Sequence, residues 1–487
     1  MRMKTIILLT VVLIFSLMPG MTLSANSGRT TYLGYTFDHW GYEVPSPAAY
    51  MPVRSIGGRD IDSDIGSFRA PEDLATDIDG NIYVADTGNN RVVVFNTNLD
   101  LINIFDGFYQ DGIHHRFDGP RGVFVTENLD IYIADTGNHR VVSLNQNGEW
   151  RNTIENPESD ILAEGFVFHP LKVTVDRAGR VYVIARNVYE GIMFFSPEGE
   201  FFGYFGTVQV QYTFTDWIWR QLSTQAQRAQ QRLFIPMELS GMDVDNAGFI
   251  FATVADSGFD DGVMRINPSG NDVLRNFTPH VIAGDINRLP TALSPTVFVD
   301  IVVRDNGKFS VLDSTRRRLF TYDSEGNLLY VIGGMGNTMG MGRQPSAVGV
   351  IGNDIFILDR LRGEIVHFEE TLYGQLINGA VSARYNDDEA GAVEKWRQVL
   401  MLNENFALAN RGIGRALLAA GENQLAMAYL RRGMDVDHYA IALRRHRSEL
   451  LEENIGYALT VAAILGAAVL GYHVYKKRKQ RDMAWRT

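Results

Sequence analysis

Residues 77–95 read DIDGNIYVADTGNNRVVVF, and residues 126–144 read TENLDIYIADTGNHRVVSL. In both stretches a turn rich in Asp, Asn or Gly precedes an apolar run. The run ends at Asp86 or Asp135, five residues before Arg91 or Arg140. Asp, Asn and Gly favour the positive φ angles of tight turns, and the β-branched and aromatic residues suit a strand buried on both faces. Each stretch therefore predicts a hairpin turn followed by a buried strand.

The pattern recurs along the chain. Pro71, Pro120 and Pro170 precede the first three copies at spacings of 49 and 50 residues. Looser copies of the turn and the buried strand follow at residues 245–251, 304–311 and 352–357. Six copies of a unit too small to bury its own apolar face predict a repeat architecture.

The Asp and Arg residues after each buried strand have a structural interpretation. Asp86 and Asp135 can accept backbone amides across the turn, while Arg91 and Arg140 pair back to them. Because such pairs recur in several copies, we interpret them as links between the second and third strands of each copy, and not as catalytic groups.

These motifs resemble the NHL-repeat family, whose repeats fold as the four-stranded blades of a β-propeller. The likeness covers about residues 54–368. The sixth copy lacks an outermost strand, whereas residues 53–58 (VRSIGG) match the outermost strand of the fifth copy at residues 330–334 (YVIGG). We therefore predict a mainly β fold, with a six-bladed NHL-type propeller over residues 26–371 that an N-terminal strand closes. A helical insertion is expected at about residues 207–234.

The two ends of the chain predict its location. Residues 1–25 are basic and then apolar, which predicts a secretory signal peptide, with an uncleaved anchor as the alternative. Residues 455–475 carry no formal charge and precede the basic tail 476–487, which predicts a transmembrane helix with a cytoplasmic stop. Together they predict a single-pass type I protein of the cell membrane with the propeller outside. Residues 372–454 are similar to tetratricopeptide (TPR) helix pairs, with a plain helical stalk as the alternative.

Composition excludes several function classes. The chain of 487 residues has no cysteine, which excludes disulfide scaffolds, thiolate metal sites and cysteine nucleophiles. The formal net charge is −12, and since the tail 476–487 carries +5 and residues 1–25 carry +2, the remainder carries −19. Nucleic-acid binding requires a basic surface, so we predict no nucleic-acid partner.

Candidate binding residues follow from the propeller architecture, because ligands of such folds collect side chains from several blades at the channel mouth. The residues at or beside the blade starts that could bind a ligand are Glu72, Arg121, His169, Lys172 and Glu238. No ring of histidines occurs there. We therefore predict no catalytic residue, no metal and no cofactor, and favour a binding protein over an enzyme.

An enzyme is the competing interpretation. Some NHL-like propellers are lyases with a metal held by histidines, and the gluconolactonase family holds a divalent cation with Glu, Asn and Asp. The resemblance thus leaves open a metal-dependent enzyme of the lactonase or lyase type, in which Glu72 and Glu238 share a cation. Arg121 and Lys172 on the same rim would oppose that cation.

Membrane-anchored chains that combine NHL and TPR-like repeats resemble bacterial surface proteins associated with carbohydrate import. This resemblance implies an accessory or scaffold role, with an extracellular glycan, peptide or protein as ligand and a membrane transporter as partner. A third interpretation is a structural adaptor whose helices alone hold a membrane partner.

Overall fold

In the residues that the structure describes, most of the secondary-structure elements are antiparallel β-strands. The computed structural model describes residues 34–38, 40, 43–57, 60, 65–206, 238–255, 262–274, 282, 284–285 and 296–484. The predicted signal peptide (1–25) and the predicted helical insertion (207–234) lie outside these residues.

The strands, numbered in chain order, begin with a hairpin and the strand that follows it: β1 (Gly34–Phe37), β2 (Glu43–Ser46) and β3 (Tyr50–Gly57). Blade one contains β4 (Asp73–Thr76), β5 (Ile82–Asp86), β6 (Arg91–Phe95) and β7 (Leu101–Phe105). A second hairpin then forms from β8 (Gly107–Gln110) and β9 (Ile113–Arg116). Blade two contains β10 (Pro120–Val125), β11 (Ile131–Asp135), β12 (Arg140–Leu144) and β13 (Trp150–Ile154).

The remaining blades repeat this order. Blade three contains β14 (Pro170–Val175), β15 (Val181–Ala185), β16 (Ile192–Phe195) and β17 (Phe201–Phe205). Blade four contains β18 (Leu239–Val244), β19 (Ile250–Val254) and β20 (Val263–Ile266). Blade five contains β21 (Phe298–Val303), β22 (Phe309–Asp313), β23 (Arg318–Tyr322) and β24 (Leu328–Gly333). Blade six contains β25 (Pro345–Ile351), β26 (Asp354–Asp359) and β27 (Glu364–Glu370), and β3 is its fourth strand.

The N-terminal strand closes the ring, as the sequence predicts. Strand β3 pairs antiparallel with β27, from Gly57 opposite Glu364 to Tyr50 opposite Glu370. The described residues thus form a six-bladed β-propeller, and the predicted fold class is confirmed. Blade six takes strands from both ends of the propeller, so its outermost position is not left unpaired.

Side chains fix the geometry of the turn that recurs in the blades. In blade one, Asp77 accepts the backbone N–H groups of Asp79 and Asn81, and Gly80 between them has a φ of 84°. A side chain at a positive φ would be strained, which explains the glycine. After the buried strand, Asp86 accepts the Nε–H of Arg91 at 2.8 Å. This pair confirms the structural interpretation of the repeated Asp and Arg residues.

Asp86 also has a role that its sequence position does not reveal. It accepts the backbone N–H of Arg69 at 2.7 Å, and in blade two Asp135 accepts that of Asp118 at 2.8 Å. Each carboxylate therefore fixes the chain that enters its own blade, besides the turn between the second and third strands. Equivalent carboxylates in blades five and six, Asp313 and Asp359, accept backbone amides in the same way.

The hydrophobic core lies between neighbouring blades. One cluster combines Val84 and Val93 of blade one with Phe356 and Leu358 of blade six, and it includes Ile56 of the closing strand. Further clusters join blades one and two, two and three, three and four, and four and five. Stability therefore depends on every blade having a neighbour on each side, which ring closure provides.

Five helices follow the propeller: α1 (Leu372–Tyr385), α2 (Glu389–Leu402), α3 (Ala407–Ala419), α4 (Asn423–Arg432) and α5 (Val436–Ala484). Each packs against the next in sequence. Thr371 directly precedes α1 and is its N-cap, because its hydroxyl accepts the N–H of Gly374. The predicted C-terminal helical segment is confirmed, whereas its likeness to TPR repeats stays a prediction.

A buried polar cluster joins the helices to the propeller. The Arg304 guanidinium of blade five donates to the hydroxyl groups of Tyr50 at 2.8 Å and Tyr330 at 2.7 Å. Asn378 of α1 donates to Tyr50 and accepts from Tyr330. At the periphery of this contact, Arg384 of α1 pairs with Glu325 at 2.7 Å. Helix α1 therefore contacts the closing strand and blade five through the same group of side chains.

Helix α5 is long and apolar enough to cross a membrane, judged by length and composition, and its apolar window is not buried against the rest of the protein. Leu459, Ile464 and Leu470 are among its exposed side chains. Burying such a surface in water-free surroundings is favourable by roughly 25 cal/mol per Å². The helix is thus a candidate membrane span, as the sequence predicts for residues 455–475.

Ile56 tests the contribution of the closing strand. We expect Ile56→Ala to lower the free energy of unfolding by about 2–5 kcal/mol, because the side chain is 1% exposed within the cluster between blades six and one. Arg54→Ala on the same strand removes an exposed side chain and should change it by less than about 0.5 kcal/mol. Urea unfolding of the full chain in detergent micelles measures both, and equal effects would contradict the closing role of β3.

Candidate functional site

The channel mouth where the innermost strands begin contains a cavity of about 330 Å³. Its lining comes from the first residues of the inner strands and from the turns beside them. The charged and amide side chains around it are those of Glu72, Arg121, Lys172, Glu238, Gln344 and Arg360. Leu171, Leu239 and Val299 add apolar surface. The cavity therefore combines apolar and polar lining residues, the usual composition of a small-molecule site.

Four of the five predicted binding residues meet at this cavity: Glu72, Arg121, Lys172 and Glu238. They come together because each lies at the start of an inner strand, and all inner strands begin at the same end of the channel. His169 precedes Pro170 in the same way, but it does not line the cavity. Its ring packs against that of His139, with the centroids 4.4 Å apart. Desolvation and the neighbouring His139 lower the pKa of His169.

One carboxylate joins two guanidinium groups on the rim. Glu72 Oε1 lies 3.3 Å from Arg121 Nη2 and 3.2 Å from Arg360 Nη2. The Glu72 side chain is 16% exposed, whereas those of Arg121 and Arg360 are 31% and 38% exposed. The two arginines come from blades two and six, on either side of blade one. Glu72 thus holds them together while both remain open to solvent.

Arg360 is a rim residue that the sequence interpretation missed. Asp359 and Arg360 follow the buried strand of blade six, where the Asp and Arg pattern of the other copies occurs, and Asp359 accepts the backbone N–H groups of Leu361 and Arg362. Arg360 occupies the position of Thr87 and Thr136 in blades one and two, which donate to the first residue of the next blade. Comparing the copies position by position would have placed Arg360 beside the start of blade one.

A buried ion triad closes the bottom of the mouth cavity. Lys172 of blade three lies 2.5 Å from Asp73 of blade one and 3.1 Å from Asp300 of blade five. These three side chains are at most 12% exposed. Because they come from alternate blades, they meet across the channel axis. Lys172 lines the mouth cavity above and a second cavity below, so the triad separates the two.

The protonation of the triad follows from burial and charge. Burial alone would lower the pKa of the Lys172 ammonium, but the Asp300 and Asp73 carboxylates raise it above its ordinary value. Burial raises the pKa of Asp300 to about 6, and Lys172 limits that rise. Asp73 and Asp300 are also fixed to the neighbouring blades, since they accept the backbone N–H groups of Val123 and Val348, each at 2.9 Å. The triad therefore ties blades as well as closing the channel.

The second cavity, of about 280 Å³, lies where the inner strands end. Asp243, Asp305 and Arg304 are among its charged lining residues. Burial raises the pKa of Asp243 to about 7, although the N–H groups of Val303 and Val244 oppose the rise. Within the described part of the chain, no three His, Cys, Asp or Glu side chains are arranged to hold a metal ion.

These features define the class of protein: a six-bladed β-propeller with a polar mouth cavity and a closed channel. The NHL repeat family matches residues 68–95 and 117–142, which include the first three strands of blade one and the first two strands of blade two. No curated protein matches the sequence significantly.

Solved structures that are similar to this chain include three with names that describe an activity. A streptogramin B lyase is 10% identical, with 70% of this chain and 100% of that chain covered and a TM-score of 0.37. A catalytically inactive virginiamycin B lyase from Staphylococcus aureus with quinupristin is 11% identical, with 71% and 97% covered and a TM-score of 0.40. A putative gluconolactonase is 13% identical, with 70% and 98% covered and a TM-score of 0.41. Similarity at this level carries no argument about fold or activity.

Lys172 tests the triad. We expect Lys172→Met to lower the free energy of unfolding by about 3–5 kcal/mol near pH 8, because Asp73 and Asp300 would stay buried without a cation. Burial already raises the pKa of Asp300, so the folded variant would bind protons that the unfolded chain releases. The deficit relative to the wild type should therefore shrink as the pH falls from about 8 to about 5.

Urea unfolding across this pH range measures the deficit. Arg151→Met is the matched control, because it removes an exposed cation that lies 3.5 Å from Asp130. It should cost less than about 1 kcal/mol and show no recovery at low pH. A pH-independent deficit in Lys172→Met would contradict the role of the two carboxylates.

Proposed function

We propose that the chain is a membrane-anchored binding protein whose propeller, outside the cell, recognises a small polar ligand or a polar group of a partner at the channel mouth. The observation that carries this proposal is the mouth cavity itself. Charged side chains from separate blades converge on one concave surface, and the triad of Asp73, Lys172 and Asp300 closes it below. A ligand would therefore be held in a cup and would not pass through the ring.

The rim has the donors and acceptors that such recognition needs. Arg121 and Arg360 keep a third or so of their side chains exposed while paired with Glu72. Ser240 and Ser346 donate to backbone carbonyls of the adjoining blades, which leaves their oxygen atoms to accept from a ligand. Polar groups that are already fixed lose little conformational entropy on binding.

The anchor is proposed from helix α5. Its apolar window is exposed, and the basic residues Lys476, Lys477, Arg478 and Lys479 follow the uncharged stretch 455–475. Basic residues favour the cytoplasmic side, so the helix order puts the propeller outside. On the other side of the span the nearest basic residues are Arg444, Arg445 and Arg447, three against the six of the tail 476–487, so the bias of basic residues supports the same orientation.

The expected partners follow from the resemblance described above. An accessory role in carbohydrate binding or transport would pair the mouth with a glycan and the helices with a membrane transporter. Helices α1 to α4 are suited to a scaffold role, because α1 is fixed to blades five and six and α5 continues into the candidate span.

The competing proposal of a metal-dependent lactonase or lyase has less support from the geometry. Glu72, one of the two carboxylates that would share the cation, already lies between Arg121 and Arg360. A cation there would have to displace both guanidinium groups or lie beside them, which is electrostatically costly.

Blocking the cavity tests the binding proposal. We expect a glycan and peptide array, probed with the full chain in detergent micelles, to identify ligands that raise its unfolding temperature. Ser314→Trp would fill the mouth cavity and should abolish this shift. Ser269→Trp lies on an exposed turn of blade four and should leave the shift unchanged. Retained binding in Ser314→Trp would place the ligand elsewhere.

Protease digestion of intact cells tests the anchor and its orientation. With an epitope tag placed after residue 487, we expect external protease to digest the propeller while the tag stays protected. Deleting residues 455–487 should release the protein from the membrane fraction, because the candidate span is lost. Protection of the propeller would reverse the proposed orientation.

A further inference from the structure

We infer that the mouth cavity recognises a carboxylate group on a polar molecule, and that Arg121 and Arg360 bind this carboxylate beside Glu72. The inference rests on the proposed binding function and adds the chemical class of the ligand. It is carried by the arrangement of one carboxylate between two guanidinium groups on the wall of an open cavity.

The two guanidinium groups have N–H donors that do not contact Glu72. Each presents five N–H groups, and the contact with Glu72 is through a single Nη2 atom in each case, at 3.2 to 3.3 Å. In the described residues, neither side chain has a second acceptor within hydrogen-bonding distance. Paired guanidinium groups bind carboxylates through two parallel N–H bonds, and such charge-assisted bonds are the strong ones.

The cavity is also less acidic than the chain as a whole. Its lining contains three basic side chains, Arg121, Lys172 and Arg360, and two acidic ones, Glu72 and Glu238. Because Asp73 and Asp300 neutralise Lys172, the two arginines and the two glutamates leave the rim near neutral, on a chain whose formal net charge is −12. Lys172 is satisfied from behind by Asp73 and Asp300, so the two arginines are the cations available to a ligand.

The size of the cavity limits the ligand. About 330 Å³ is at the lower end of small-molecule sites, which suits a single acidic sugar or a short peptide terminus. Glu238, on the same lining, would repel a second anionic group and can accept from hydroxyl or amide groups. The geometry therefore fits a monoanion with neutral polar substituents.

Substitutions at Glu72 and at the two arginines should change the affinity in opposite directions, which tests the inference. The Glu72 carboxylate is paired with the same two guanidinium groups that the ligand would contact, so Glu72→Gln should remove this competition and strengthen binding of a carboxylate several-fold. Arg121→Gln and Arg360→Gln should each weaken it about tenfold or more. Loss of folding cannot produce a gain in affinity, so the Glu72→Gln result separates recognition from instability.

Calorimetric titration of the full chain in detergent micelles provides the measurement. The probes are galacturonate with galactose, and an acetylated dipeptide acid with its amide, so that each pair differs in one carboxylate. We expect at least one acid to bind about tenfold more tightly than its neutral counterpart, and the two pairs distinguish a sugar source from a peptide source. Affinity for the acid should fall as salt is raised.

Arg177→Gln is the matched control, since Arg177 pairs with Glu127 on an exposed surface away from the cavity. It should leave every affinity unchanged. Equal binding of acid and neutral probes would overturn the carboxylate inference while the proposed binding function survives. Absence of binding by all four probes at about 10 mM would also overturn it. The proposed function would then be judged separately by the array and Ser314→Trp.

Discussion

The pairing of β3 with β27 is the constraint on which the rest of the structure depends. Each hydrophobic cluster of the propeller lies between two neighbouring blades, so an open ring would leave one face of blade one and one of blade six without a partner. Closure by the N-terminal strand provides those partners through a ladder from Gly57 to Tyr50. The cost is a contact between residues more than 300 positions apart, whose loop-closure entropy must be overcome before the ring is stable.

The mouth follows from that closure. With the ring closed, Arg360 of blade six adjoins Glu72 of blade one, and Glu72 then reaches Arg121 of blade two. The site therefore includes side chains from blades six and one, which adjoin each other where the N-terminal strand completes the ring. At the channel axis, Lys172 of blade three forms ion pairs with Asp73 of blade one and Asp300 of blade five. These ion pairs connect blades that have no backbone pairing with one another.

The sequence predicts much of this architecture because the blade is a local unit. Turn residues such as Gly80 and the pair of Asp86 with Arg91 act within one copy, so their spacing shows their role directly. Glu72, Arg121, Lys172 and Glu238 could be placed at one mouth because all blade starts lie at one end. Arg360 of blade six was missed because its partner, Glu72, lies in blade one, at the junction where the two ends of the propeller meet.

Other features depend on distances that a single sequence does not contain. The pairing of Asp73 and Asp300 with Lys172 depends on which blades face each other across the channel. The orientation of His169 depends on its contact with His139. Among the described residues, the hairpin of β8 and β9 has no counterpart in the other copies. The predicted signal peptide and the predicted helical insertion concern residues outside the described ones and stay predictions.

The polar cluster of Arg304, Tyr50, Tyr330 and Asn378 has a mechanical consequence. Helix α1 is covalently continuous with β27 and is bonded through Asn378 to the strand that closes the ring. In a protein anchored through α5, tension between a ligand held at the mouth and the bilayer would pass through blade six and be shared by both of its terminal strands. The pairing of β3 with β27, which closes the ring, would then be reinforced where this tension reaches the propeller.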